Sequence, residues 1–112
     1  MKKLIDCKAE TLFRGTIFRC IGKYPFENIV DFMLVEYLDD MSSGYAIYCI
    51  SGYHAGCVEV VLPLKAVSKY NRGISVKWLI ENWNEWVYPD CPIINVEIFE
   101  PTVHNMIDIS NK

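Results

Sequence analysis

The sequence predicts an α+β domain in which a mostly antiparallel sheet of about five to six strands is covered on one face by one amphipathic helix. Three observations lead to this prediction. Short runs of β-branched and aromatic residues are separated by turn-forming residues. One stretch, about residues 75–88, has its apolar residues at helical spacing. The 112 residues amount to a single domain, residues 1–112, without a linker or an internal repeat.

The first half of the chain supplies most of the expected strands. Between Leu4 and Ile21, β-prone runs are interrupted near Gly15, which predicts one or two strands with a bend or a bulge. Residues 29–38 show a period of two, which favours a strand, although the same residues also fit a short helix. Residues 39–44 are dense in turn formers and therefore predict a hairpin loop.

Two further strands, over 45–51 and 57–62, should extend the sheet as an antiparallel meander with one buried face. Successive side chains of a strand point to opposite faces of the sheet. In the second of these strands, Val58 and Val60 should therefore face one way and Glu59 the other.

The predicted helix has signals at both ends. Ser75 is a good N-cap, and Ile74 and Leu79 occupy the positions of a hydrophobic staple. Pro89 ends the helix, and a last strand over 93–99 follows it. The apolar stripe that should face the sheet consists of Val76, Leu79, Ile80, Trp83 and Val87.

Composition excludes several classes of protein. A chain that is 52% hydrophobic and 13% aromatic, with a net charge of −3, is not disordered. Its five cysteines include no C-x-x-C pair, which argues against a secreted disulfide framework. Asp6 and Lys8 interrupt any signal-peptide core, and the longest uncharged stretch, 41–58, is too rich in Ser, Gly and Tyr to span a membrane. We therefore expect a cytoplasmic protein without a membrane partner.

Charge is distributed in blocks along the chain. Residues 24–64 and 78–111 each contain six acidic residues and no Lys or Arg, whereas 1–23 and 65–77 are basic. If the acidic blocks meet in space, they form a negative surface that repels nucleic acid and attracts basic proteins. The alternative is a solvated surface that the basic blocks neutralise.

Motifs that carry chemistry are weak. Cys49, His54 and Cys57, with Cys91 as a fourth ligand, have the side-chain types of a zinc site, but their spacing matches no standard one. The alternative is two buried strand cysteines and a loop histidine. A P-loop, a nucleophile elbow and a dinucleotide fingerprint are all absent from the sequence. We therefore expect no catalytic residue, metal or cofactor, and a small enzyme that uses His54 is an alternative.

Aromatic residues are concentrated in the predicted helix. Trp83 belongs to the apolar stripe, whereas Trp78 and Trp86 lie beside it, so one of them could be partly exposed. Trp and Tyr are the usual anchors of protein interfaces. The alternative is that all three tryptophans pack the helix onto the sheet.

Three segments carry a family resemblance: the Trp-rich helix with its Tyr-Pro end (73–92), residues 24–33, and residues 52–56 with the Leu-Pro pair that follows at 62–63. Together they resemble small immunity proteins of bacterial polymorphic toxin systems, of the kind paired with contact-dependent growth-inhibition toxins. The resemblance implies a cytoplasmic, non-enzymatic protein that binds one cognate toxin domain and blocks it. Many such toxins are nucleases, which tend to be basic, so an acidic surface would complement such a partner.

Candidate contact residues follow from exposure and charge, because the resembling segments identify none. A hairpin tip faces water, which exposes Asp39 and Asp40, and Glu81 and Glu85 are like charges one helical turn apart. An acidic adaptor without a toxin partner is an alternative function, and the oligomeric state is open. The predicted partner-binding residues are Asp39, Asp40, Tyr45, Tyr53, Trp78, Glu81 and Glu85.

Overall fold

A computed structural model describes residues 2–38, 42–69 and 72–101 of the chain. The strands in these ranges are β1 (Lys2–Lys3), β2 (Thr11–Leu12), β3 (Ile17–Ile21), β4 (Ile29–Glu36), β5 (Tyr45–Cys49), β6 (Val58–Val61), β7 (Ile74–Ser75) and β8 (Glu97–Phe99). Six of them form an antiparallel sheet in the order β1-β8-β3-β4-β5-β6, and β2 pairs with β7. One α-helix, α1 (Val76–Asn82), continues into a π-helical turn over Trp83–Val87. The predicted α+β class is confirmed.

In the long central strand β4, apolar residues at every second position lie on one face of the sheet. Val30, Phe32 and Leu34 are fully buried on one face of β4, and the residues between them are only half-buried. The helical alternative for 29–38 is therefore wrong, because strand geometry alone puts all three apolar side chains into one core. We call this buried side the inner face of the sheet and the opposite side the outer face.

One strand departs from the predicted alternation. Tyr48 is opposite Val58, whereas Ile47 is opposite Val60, so Glu59 is an extra residue in a β-bulge. The expectation that Val58 and Val60 share a face is wrong, because the bulge turns Val58 to the outer face, where it is 46% exposed. Val60 stays on the inner face, against the core.

The helix begins and ends as its sequence signals predict. The Ser75 hydroxyl accepts a hydrogen bond from the Trp78 N–H (3.2 Å), and the staple residues Ile74 and Leu79 are fully buried. After the π turn, Tyr88 is extended, as expected for a residue that precedes proline. The last strand is shorter than predicted, because the N–H groups of Asn95 and Val96 donate to Pro92 and Ile93 in a 3-10 turn over Ile93–Asn95.

The helix packs on the inner face of the sheet. Trp83 is fully buried, with its ring 5.2 Å from that of Phe18 on β3. Tyr88 lies 5.3 Å from Phe32 on β4. Along the described residues, no helix is both long and apolar enough to pass through a membrane.

Candidate partner-binding surface

Of the two acidic pairs predicted to bind a partner, the structure describes only one. Glu81, on α1, and Glu85, in the π turn, are both exposed. Asp39 and Asp40 lie outside the described residues. The structure therefore places only the helical pair, on the side of α1 that faces away from the sheet.

Of the three predicted aromatic contacts, only Tyr53 is exposed, with 90% of its surface accessible. Tyr45 is half-buried, and its hydroxyl accepts the Gly73 N–H at 3.0 Å. Trp78 is only 9% exposed and belongs to the core. The expectation that Tyr45 and Trp78 are exposed aromatics is wrong, because both are part of the packing around the helix.

The π turn explains where the tryptophans lie. In a regular α-helix, Trp86 would be rotated by about 80° from Trp78, since eight residues exceed two turns by that angle. The wider turn, closed by the Tyr88 N–H to the Trp83 carbonyl (3.1 Å), brings the two rings within 6.1 Å. Trp86 remains 37% exposed, with the Lys65 ammonium 5.5 Å from its ring centre. The aromatic cluster of the helix is thus mostly internal.

Ion pairs join the basic block 1–23 to both acidic blocks. Lys2 pairs with Glu100 at 2.9 Å, and Arg14 pairs with Glu36 at 2.9 Å. On the outer face, the Arg19 guanidinium makes two hydrogen bonds to the Asp31 carboxylate, at 2.9 and 3.0 Å. These three carboxylates are therefore neutralised within the fold. Exposed acidic residues outside these pairs include Glu27, Glu81, Glu85 and Asp90.

Several exposed apolar side chains lie together at one end of the outer face, where β3 and β5 end and β4 and β6 begin. Tyr24 is 95% exposed and Tyr53 is 90% exposed, on neighbouring loops. Around them are isoleucines and a valine that are between 36% and 60% exposed. We call this group the tip patch; it consists of Ile21, Tyr24, Ile29, Ile50, Tyr53 and Val58.

Sequence reasoning found only Tyr53 in this patch. Tyr24 could have been found by the criterion applied to Asp39 and Asp40, since it lies in a turn between two predicted strands. The isoleucines carry no such signal, because an isoleucine in a strand is equally suited to a core.

The two loops of the tip are fixed to each other and to the core. The Glu27 carboxylate accepts the Tyr53 N–H at 3.1 Å, which ties the β3–β4 loop to the β5–β6 loop. Phe26 fills the space beneath, with its ring 4.7 Å from that of His54 and 5.3 Å from that of Tyr88. Gly22 is required here, because a Cβ at this position would overlap the backbone oxygen of Glu27.

The candidate zinc residues meet beside the tip but do not form a metal site. Cys49, His54, Cys57 and Glu59 line a cavity of about 250 Å³. Among the described residues, no group of three or more His, Cys, Asp or Glu side chains is arranged to hold a metal ion. Cys91 lies elsewhere, buried beside Cys20.

The same cavity has little of what nucleophilic catalysis requires. Burial raises the pKa of the Cys49 thiol, which disfavours the thiolate that a nucleophile requires. Burial also raises the pKa of the Glu59 carboxyl, and the nearby His54 partly opposes this effect. The His54 Nε2 and one Glu59 oxygen are buried without a hydrogen-bond partner in the described structure.

A larger groove lies between α1 and the β2–β7 pair. Its volume is about 530 Å³, and its lining includes Thr11, Ser75, Ile80, Lys77 and Glu81. Charges of both signs border it, so it does not favour an anionic or a cationic ligand.

Comparison with known proteins gives one match. The family model for Immunity protein 45 matches residues 4–98 of the chain, which include every described strand except β1 and the end of β8. No curated protein and no solved structure matches the chain.

Proposed function

This chain belongs to the Immunity protein 45 family, and we propose that it binds a cognate bacterial toxin domain and thereby neutralises it. The family match over residues 4–98 is the observation that carries the proposal. The fold agrees with a binding role, because two tyrosines and four aliphatic side chains are exposed at one end of its outer face. Contiguous exposed apolar surface is typical of sites of protein interaction.

The same reasoning supports a finer proposal about the toxin and the place of action. The toxin belongs to a polymorphic system of the contact-dependent growth-inhibition kind, is a nuclease and is basic, and inhibition takes place in the cytoplasm. The support is the resemblance of segments 24–33 and 73–92 to such immunity proteins, together with a stretch, 24–64, that has acidic residues and no Lys or Arg. Acidic surface would speed association with a basic nuclease.

We further propose that the protein has no enzymatic activity of its own and acts by stoichiometric binding. Immunity families generally neutralise by complex formation, and burial raises the pKa of the Cys49 thiol, which disfavours its nucleophilic thiolate form. A His54→Ala variant should therefore protect cells as well as the unmodified protein does, provided that both accumulate to the same level.

Coexpression tests the proposed function directly. An immunity gene should lie directly downstream of a large toxin gene, so the C-terminal domain of the toxin found there is induced in cells that do or do not express this protein, and growth is followed. Growth should stop without the protein and continue with it, and the two proteins should copurify at a fixed ratio. Growth arrest that coexpression does not relieve would contradict the proposal and would favour an adaptor without a toxin partner.

A further inference from the structure

We infer that the toxin docks on the tip patch, through an apolar surface of its own that is edged by Lys or Arg side chains. The inference rests on the proposed function and adds to it the contact surface and the chemistry of the partner.

First, the aliphatic side chains of the tip patch lie on neighbouring strands of the sheet. Ile21 and Ile29 are directly opposite each other in the β3–β4 ladder. The Ile50 N–H donates to the Asp31 carbonyl at 2.9 Å, which places Ile50 beside β4 two residues beyond Ile29. Val58 is opposite Tyr48 on the outer side of β6, where the bulge has turned it. The apolar side chains therefore lie on the outer side of four adjacent strands, around the Arg19–Asp31 ion pair.

Second, the two tyrosines lie on loops at the end of the sheet where these aliphatic side chains are exposed. Tyr24 follows β3 and Tyr53 follows β5, so their loops emerge from the same end of the sheet. The hydrogen bond from the Tyr53 N–H to Glu27 keeps these loops in contact. Tyr24 is 95% exposed and Tyr53 is 90% exposed, so neither belongs to the core, and Tyr is a preferred anchor of interfaces.

The third step is that the patch is already ordered without a partner. The Gly22 N–H donates to the Asn28 carbonyl at 2.8 Å, and the Phe26 N–H donates to the Lys23 carbonyl at 2.7 Å. The Lys23 N–H in turn donates to the buried Tyr88 hydroxyl at 3.1 Å. These bonds fix the β3–β4 loop on the core, so binding loses little conformational entropy at this surface.

The fourth step concerns the charge around the patch. Five of its six residues lie in the stretch 24–64, which contains no Lys or Arg. Glu27 is exposed, and its carboxylate contacts the loop that carries Tyr53. Two other charges near the patch, Arg19 and Asp31, neutralise each other in an ion pair. Lys23 is an exposed cation in the same loop as Tyr24. A partner with an apolar centre and a cationic edge fits this arrangement better than an acidic or wholly polar one.

The experiment compares two double variants in binding to the purified toxin domain. Tyr24→Ala/Tyr53→Ala removes the exposed anchors of the patch. Phe13→Ala/Leu64→Ala removes exposed apolar side chains outside it, which are 47% and 68% accessible. We expect the patch variant to weaken binding by roughly 100-fold, about 10-fold for each anchor, and the control to bind within a few-fold of the unmodified protein. Both should keep the melting temperature.

The charge requirement has its own variant. Glu27→Gln keeps an oxygen that can accept the Tyr53 N–H but removes the negative charge. We expect this variant to associate several-fold more slowly at low salt, and the difference from the unmodified protein to shrink as salt is raised. An association rate that neither the substitution nor salt alters would overturn the cationic edge.

The outcomes separate this inference from the proposed function. If the unmodified protein binds the toxin and the patch variant binds equally well, the docking surface is wrong and the function stands. If the unmodified protein neither binds nor protects, the function itself fails. If the patch variant dissociates a dimer in sedimentation and leaves the toxin affinity unchanged, the patch binds a second copy of this chain and the inference is wrong.

Discussion

The Trp-rich helix and the tip patch are both aromatic, yet the fold uses them in opposite ways. Trp78 and Trp83 are buried against the sheet, and Trp86 packs on Trp78. Tyr24 and Tyr53 extend into solvent from loops that are themselves held in place. The comparison shows that aromatic density along a sequence indicates a core, whereas single aromatic residues in turns between strands are better candidates for contacts.

The largest expected effect on stability comes from removing a buried tryptophan of the Trp-rich helix. Trp83→Ala should lower the free energy of unfolding by about 3–5 kcal/mol, because it removes the largest fully buried side chain. Thermal or urea unfolding measures this. Protection against toxin should fall only as far as the folded fraction falls, and an unchanged melting temperature would show that Trp83 does not support the core.

A smaller effect is expected from disturbing the base of the tip without touching its exposed side chains. Gly22→Ala introduces a Cβ that overlaps the Glu27 backbone oxygen, so the β3–β4 loop must shift. We expect a loss of about 1–3 kcal/mol in the free energy of unfolding, the usual cost of such overpacking. Toxin affinity should fall by more than the folded fraction does. Equal losses in both would mean that loop position is unimportant for binding.

Local signals in the sequence predicted much of this fold. Ser75 with its staple predicted the start of the helix, and the period of two in 29–38 favoured a strand over a short helix, because both patterns act within a few residues. The bulge at Glu59 depends on how β6 pairs with β5, and the π turn depends on how Trp78 and Trp86 pack. A short stretch of sequence therefore predicts neither the bulge nor the π turn.

The tip patch could not be predicted for a related reason. Tyr24 and Tyr53 are 29 positions apart in the numbering and become neighbours only because β3, β4 and β5 are adjacent in the sheet. The predicted negative surface also depended on spatial grouping. Ion pairs such as Arg14–Glu36 neutralise part of this surface. The distribution of charged residues along the sequence does not show which of them pair in space.

A pH-dependent effect should arise beneath the tip. Because burial raises the pKa of the Glu59 carboxyl, the folded state holds that proton more tightly than the unfolded chain does. This group's contribution to stability is therefore greatest at low pH and falls as the pH rises through its folded pKa. Glu59→Gln should reduce the loss of melting temperature between about pH 4 and about pH 7. An unaltered pH profile would show that the carboxyl is not desolvated.

The smallest expected effect lies on the outer side of the helix. Glu81→Lys/Glu85→Lys should leave the melting temperature nearly unchanged, because both side chains are exposed. Association with a basic toxin should slow a few-fold at low salt through long-range repulsion. The matching reversal of Asp39 and Asp40 should do the same. A loss as large as that of the tyrosine variant would move the docking surface to the helix.

Hydrogen exchange of the protein alone and in complex with the toxin domain locates the docking surface without any substitution. We expect added protection of backbone amides to be concentrated in residues 22–29 and 50–58, with 76–87 exchanging as in the free protein. Added protection over 76–87, with the two tip loops unchanged, would contradict this expectation.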